Sequence, residues 1–327
     1  MSATSSEHVQ LLNHASSESD RPPGSRPGPI FIIGMGRSGT TLIRSMLHHH
    51  PRIAIPYETH FMGRYAERAH EFGDLGLEAN RRRVIDEILG EPMLKMWDYV
   101  PSAGRILART RAGTLAGVID AIFRDYAESK QKMRWGDKSD NTDSMPAIND
   151  LFPDAQFIHI IRDGRDVARS VIKLPWGPND IIEAATWWND YVWVARRMGA
   201  ILGKERYTEV LYENLVANPE AELRRLCRFL RESYAPEMLD YHKHAEGLVP
   251  EERKFQHHNI DAPPLTSRAC AWKREMSPTD VKLFSRYAHR MLRELGYEIP
   301  DNNVSTLRLH LRMLYLFGRR LLARRST

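Results

Sequence analysis

Apolar residues recur along this chain in two rhythms. Short runs at 30–33, 53–56, 157–161 and 207–211 are rich in β-branched and aromatic residues and too brief for helices, so they predict strands. Apolar positions three and four apart predict helices near 40–49, 81–89, 112–129, 166–174, 181–202, 219–231 and 279–295. Strand then helix, repeated, predicts an α/β fold: a P-loop-like three-layer arrangement with a central parallel sheet flanked by helices. Helical patterns with little strand signal fill 61–133, which therefore reads as a helical insertion into a domain spanning 29–300. Residues 1–28 hold Ser, Pro, Gly and charge without an apolar run and read as a disordered leader. The last stretch, 301–327, reads as a basic amphipathic helix, with Leu307, Leu311, Leu314, Leu321 and Leu322 near helical spacing.

The first predicted strand runs straight into Gly34-Met35-Gly36-Arg37-Ser38-Gly39-Thr40-Thr41. Its glycines let backbone N–H groups turn inward, and the dipole of the helix that follows adds positive character, so the segment reads as a phosphate cradle. It resembles the nucleotide-binding loop G-x-x-x-x-G-K-[ST], with Gly34 and Gly39 in the glycine places and Thr41 in the hydroxyl place. Thr40, however, stands where that loop needs lysine, which argues against ATP or GTP hydrolysis. Arg37 supplies charge from another direction, on a planar fork suited to oxyanions. A second strand, at 157–161, ends in Arg162-Asp163-Gly164-Arg165-Asp166. Ligands of open α/β sheets sit at the carboxyl ends of strands, so Arg162 is placed to meet whatever the first loop holds. Ser170 follows about two helical turns later, and an arginine with a hydroxyl can grip a further phosphate.

These segments together resemble the sulfotransferases that use 3′-phosphoadenosine 5′-phosphosulfate (PAPS). Gly36-Arg37-Ser38-Gly39-Thr40-Thr41 is similar to that family's 5′-phosphosulfate loop, and Arg162 with Ser170 matches its 3′-phosphate clamp. Trp135-Gly136-Asp137-Lys138 resembles the segment that carries a catalytic lysine, and Tyr212-Glu213-Asn214-Leu215 the turn after the clamp. The resemblance spans 29 to about 295 and is nearest the bacterial and tyrosylprotein branches. It implies PAPS as donor and no metal; Ser38, Gly39, Thr40 and Thr41 on the 5′-phosphate; Arg162, Ser170 and Tyr212 also on the donor; and Lys138 with Arg37 on the transferring group. It implies Glu58, in Tyr57-Glu58-Thr59-His60, as general base, with His60 as the substitute candidate. The implied acceptor is a hydroxyl on a small molecule, carbohydrate or lipid, a phenol or peptide tyrosine remaining open. The alternatives are a P-loop nucleotide kinase and a nucleotide-binding protein without chemistry.

Composition bears on compartment and partners. Two cysteines among 327 residues suit a reducing compartment, so a cytoplasmic protein is expected. The net charge is +5, yet 302–327 holds six arginines and no acid, so the remainder sums to −1. The basic tail either packs on the domain or contacts an anionic surface, as a peripheral membrane contact or an acidic partner. No nucleic-acid module accompanies the charge, and nucleic acid is not expected as a partner. The loop 248–273, with its prolines and cations, is expected to close over the donor, with Arg268 and Lys273 as further phosphate contacts. Other conspicuous residues read as structural. They are His48-His49-His50 at a helix end, Trp187, Trp188 and Trp193 as one packed helix face, and Asp137, Asp140 and Asp143 as solvated or capping carboxylates.

Overall fold

The computed structural model describes residues 27–110, 113–139, 142–244, 249–256, 262–264, 266–301 and 304–323. Most of the expected leader, Asp140 and parts of the loop 248–273 and of the tail 301–327 lie outside them. Five strands, β1 (Ile30–Ile33), β2 (Ile53–Ala54), β3 (Arg134–Lys138), β4 (Gln156–Ile161) and β5 (Tyr207–Leu211), form one sheet in the order β2-β3-β1-β4-β5. Every pairing is parallel, with Ile32 opposite Lys138 on one side and Ile158 on the other. Helices follow most strands, and parallel strands buried by helices explain the unbroken apolar runs of β1 and β4.

The chain leaves β1 toward β2 on one flank and returns through β3 to β4 on the other, so the strand order reverses beside β1. A crevice opens there at the carboxyl ends, where α/β sheets hold their ligands. The segment between β2 and β3 carries the helices Met62–Glu67, Glu78–Leu89, Ala103–Arg109 and Leu115–Ser129, packed into the same apolar cluster as β1 and β2.

Three sequence expectations change. Strand β3, Arg-Trp-Gly-Asp-Lys, was not among the predicted strands because it lacks an apolar run, yet every one of its residues is buried. Its charges are partnered instead: Arg134 donates to Gly28 O at 2.9 Å, Leu230 O at 2.7 Å and Gln156 Oε1 at 2.7 Å. The predicted helix 279–295 is two, Pro278–Tyr287 and His289–Glu294, broken at Ala288. Of the three tryptophans only Trp188 is core; Trp187 and Trp193 are exposed.

Candidate active site

The loop after β1 is shaped by steric necessity. Gly39 has φ +100°, and a Cβ there would stand 2.6 Å from the Tyr212 ring. Arg37 also has positive φ (74°), a conformation L-residues seldom adopt, so the loop holds strain at the residue whose side chain enters the crevice. The helix Thr40–His48 begins at Gly39 with no side-chain cap, leaving first-turn N–H groups for an anion. Ser38, Thr40 and Thr41 are buried at that turn.

Three arginines converge beside it. Arg37 Nε donates to Ser170 Oγ at 3.0 Å, joining the two predicted phosphate elements. Arg162 lies with its guanidinium 4.5 Å from the Tyr212 ring centre and donates to Arg37 O at 3.2 Å and Arg268 O at 2.7 Å. Its Nε is buried without a hydrogen-bond partner among the described residues. Asp166 is 3.8 Å from Arg162 but also accepts from the Trp272 N–H at 2.8 Å and faces Arg169. Burial, then the charges of Arg162 and Arg268, push the Arg37 guanidinium below its ordinary pKa. Cations crowded in this way around a helix N-terminus form a receptor for a polyanion. Lys273 is not part of it; that side chain pairs with Glu298 at the surface.

A second cluster lies across β1. Lys138, at the end of β3, is buried and its Nζ hydrogen-bonds Glu58 Oε1, while His60 Nε2 meets Glu58 Oε2 at 2.8 Å. Burial alone would raise the Glu58 pKa, but the Lys138 charge and hydrogen bonds from His60 and Lys138 outweigh it and hold the carboxyl well below the usual range. The backbone leading to Glu58 is pinned by side chains that sequence reading passed over. Arg44, buried in the first helix, donates to Ile55 O at 3.1 Å and Pro56 O at 2.9 Å, and Trp97 Nε1 donates to Tyr57 O at 2.9 Å. His48 Nδ1 accepts from the Ile55 N–H at 3.0 Å, which gives that histidine the structural role expected of it.

Asp137 is neither solvated nor a helix cap. It is 1% exposed and accepts from Thr59 Oγ1 at 3.1 Å and Ser139 Oγ at 2.7 Å, while Ser139 Oγ accepts from the N–H groups of Thr59 (3.4 Å) and His60 (3.3 Å). The network ties the end of β3 to the Glu58 segment and holds His60 at φ 56°. An aspartate next to the candidate lysine, in a strand without apolar rhythm, was the one available signal.

Comparison with known proteins places the chain. A family model described as "Sulfotransferase family" matches residues 29–236. Protein-tyrosine sulfotransferase A of Caenorhabditis elegans is 26% identical over 284 residues, covering 84% of this chain and 68% of that protein. Protein-tyrosine sulfotransferase 2 of Gallus gallus is 26% identical over 287 residues, covering 82% and 69%. Among solved structures, the sulfotransferase domain of the Synechococcus PCC 7002 olefin synthase shares the fold with a TM-score of 0.59 at 24% identity, over 85% of this chain and 98% of that one. A sulfotransferase domain from the curacin biosynthetic pathway also scores 0.59, at 22% identity over 84% and 99%.

Proposed function

The chain belongs to the sulfotransferase family, and from that premise we propose that it carries a sulfuryl group from PAPS to an acceptor hydroxyl by in-line displacement, with Glu58 as general base. The observation that carries this reading is the adjacency of two clusters. One is a crowd of arginines at an uncapped helix N-terminus after β1, the other a Lys138–Glu58–His60 group, its lysine buried, at the end of the neighbouring strand β3.

In this mechanism Ser38, Gly39, Thr40 and Thr41 hold the 5′-phosphate, and Arg162, Ser170 and Tyr212 hold the rest of the donor, Arg162 and Ser170 on its 3′-phosphate. The acceptor oxygen forms its bond to sulfur as the bond from sulfur to the phosphate oxygen breaks. The acceptor proton passes to Glu58, and 3′,5′-adenosine bisphosphate departs. Arg37 and Lys138 meet the charge that grows on the bridging oxygen. Competition for Lys138 governs the base. Without donor, Lys138 keeps Glu58 ionised but weakly basic; an arriving sulfuryl oxygen draws the ammonium away, and Glu58 gains basicity when a proton must be taken. Both relatives described above are named for protein tyrosine, so a tyrosine phenol is the first acceptor to test, beside small-molecule, carbohydrate and lipid hydroxyls. The thiols Cys227 and Cys270 suit a cytoplasmic setting.

Thermal stability with nucleotide tests the donor site. At ~100 times its Kd, 3′,5′-adenosine bisphosphate should stabilise the fold by about 2.7 kcal/mol, and Arg162→Ala should remove most of that gain. Glu58→Gln should keep the stabilisation while lowering transfer by about 10²- to 10⁴-fold. Stabilisation by ATP with magnesium alone would replace this reading with a kinase-like one.

A further inference from the structure

The helix Thr306–Ala323 has two apolar faces, and the fold uses one. Leu309 and Leu316, seven residues apart, are buried against the cluster built by the helices Gly164–Val171, Ile181–Leu202 and Pro278–Tyr287. A paired hydrogen bond fixes that orientation, Arg312 donating to both Asp280 oxygens at 3.0 and 3.2 Å. On the outer side stand Leu307, Leu311, Leu314 and Tyr315, exposed by 69, 57, 67 and 56%. Their spacing of four, seven and eight residues is that of one helical stripe. Exposed single apolar residues are ordinary, but four in register on one helix are not.

Charge identifies what would cover the stripe. The segment 302–327 contains six arginines and no acid, whereas the rest of the chain sums to −1. Exposed Arg308 borders the stripe. A second copy would bring the same positive charge against itself, and four side chains fall far short of the roughly 20–30 residues each partner gives a stable interface. Among the described residues no helix is long and apolar enough to cross a membrane, so insertion along the surface is the geometry left to it.

We propose that this helix docks the protein on an anionic lipid surface, its outer leucines entering the headgroup boundary and Arg308 beside them meeting lipid charge. The docking is separate from the transfer chemistry and holds whichever acceptor the enzyme uses.

Co-sedimentation of the full chain with vesicles tests it. Vesicles of phosphatidylglycerol and phosphatidylcholine should carry the protein down at low salt, pure phosphatidylcholine should carry about tenfold less, and raising salt to ~1 M should release it. The double variant Leu311→Asp, Leu314→Asp should bind about tenfold less while keeping the bisphosphate stabilisation, since both positions are solvent-facing. Arg308→Gln, at an exposed position beside the stripe, should weaken binding to the anionic vesicles without removing an apolar group. Three results would overturn the proposal. They are equal binding to both vesicle types or to neither, full binding by both variants, and a dimer in light scattering that the leucine variant dissociates, which would assign the stripe to a second copy.

Discussion

At Glu58, a carboxylate that burial would neutralise stays ionised because Lys138 and His60 surround it. The residue that fixes their meeting is Asp137. It is buried, and although burial raises its pKa, the hydroxyls of Ser139 and Thr59 donate to its ionised form and partly offset that rise. Asp137→Asn replaces an acceptor oxygen with a donor, so one of those hydroxyls loses its partner and the Glu58 segment loosens from β3. We expect kcat to fall about 10- to 100-fold with bisphosphate affinity unchanged. A purely structural role would instead lower thermal stability and leave the kcat of the folded fraction within twofold, which the ratio of Vmax to active-site concentration would reveal. Asp137 read from sequence as solvated because a charged residue has no apolar period to betray a strand; its burial depends on Thr59, about 80 positions away.

Between elements, the β4–β5 pair carries a polar chain that runs inward to buried His159. His159 on β4 meets Tyr207 Oη at 2.6 Å, Tyr207 donates to Glu209 at 3.1 Å, and Glu209 accepts from Arg196 at 2.9 Å. Since the tyrosine proton is committed to Glu209, His159 donates from Nδ1, and its buried Nε2 has no hydrogen-bond partner among the described residues. Burial, then the Arg196 charge, pushes the His159 pKa down to about 3. An unfolded chain binds that proton at about pH 6.5, so below this the unfolded state holds one proton more than the native state. Stability should therefore fall as pH drops from about 6.5 toward 3, by up to about 1.4 kcal/mol per pH unit from this group. Denaturant unfolding of His159→Gln beside the parent should show a shallower slope across that window; parallel slopes would mean that His159 is protonated in the fold. Because other carboxylates titrate in both proteins, the difference between the two is the informative quantity.

Across the whole molecule the core divides into two apolar clusters, and the crevice lies at their seam. Ile30 to Ile33, the helices between β2 and β3, Tyr212, and Ala195 and Leu202 of the helix Ile181–Leu202 belong to one; Met35, Ile161, the helix Gly164–Val171 and the first part of Ile181–Leu202, as far as Val192, belong to the other. Arg162 bridges this seam by holding both Arg37 O and Arg268 O. A donor seated on Arg37, Arg162 and Ser170 would lock segments that otherwise meet through few bonds. Amide hydrogen exchange should then slow by about tenfold or more at 36–41 and 266–276 when 3′,5′-adenosine bisphosphate binds, with the helix Thr306–Ala323 unchanged. If 266–276 exchanged at its free rate in the complex, the segment around Arg268 would stand outside the donor site.

The sequence by itself determined the α/β class, and it marked the glycine-rich loop after β1, Arg162 at the end of β4 and the Glu58 segment as candidates, because each is written locally as an apolar run followed by glycine or charge. Arg37 beside Ser170, 133 positions apart, follows from two such local motifs at the ends of neighbouring strands. Only the tertiary structure decided that β3 is a central strand, that Asp137 and Arg44 are buried positioning groups, and that Trp187 and Trp193 face outward. The physical reason is common to all of these. A charged side chain is buried when partners elsewhere in the chain satisfy it, and an aromatic one stays exposed when no partner arrives. Hydropathy along the chain records the cost of burial but not the partner that offsets it.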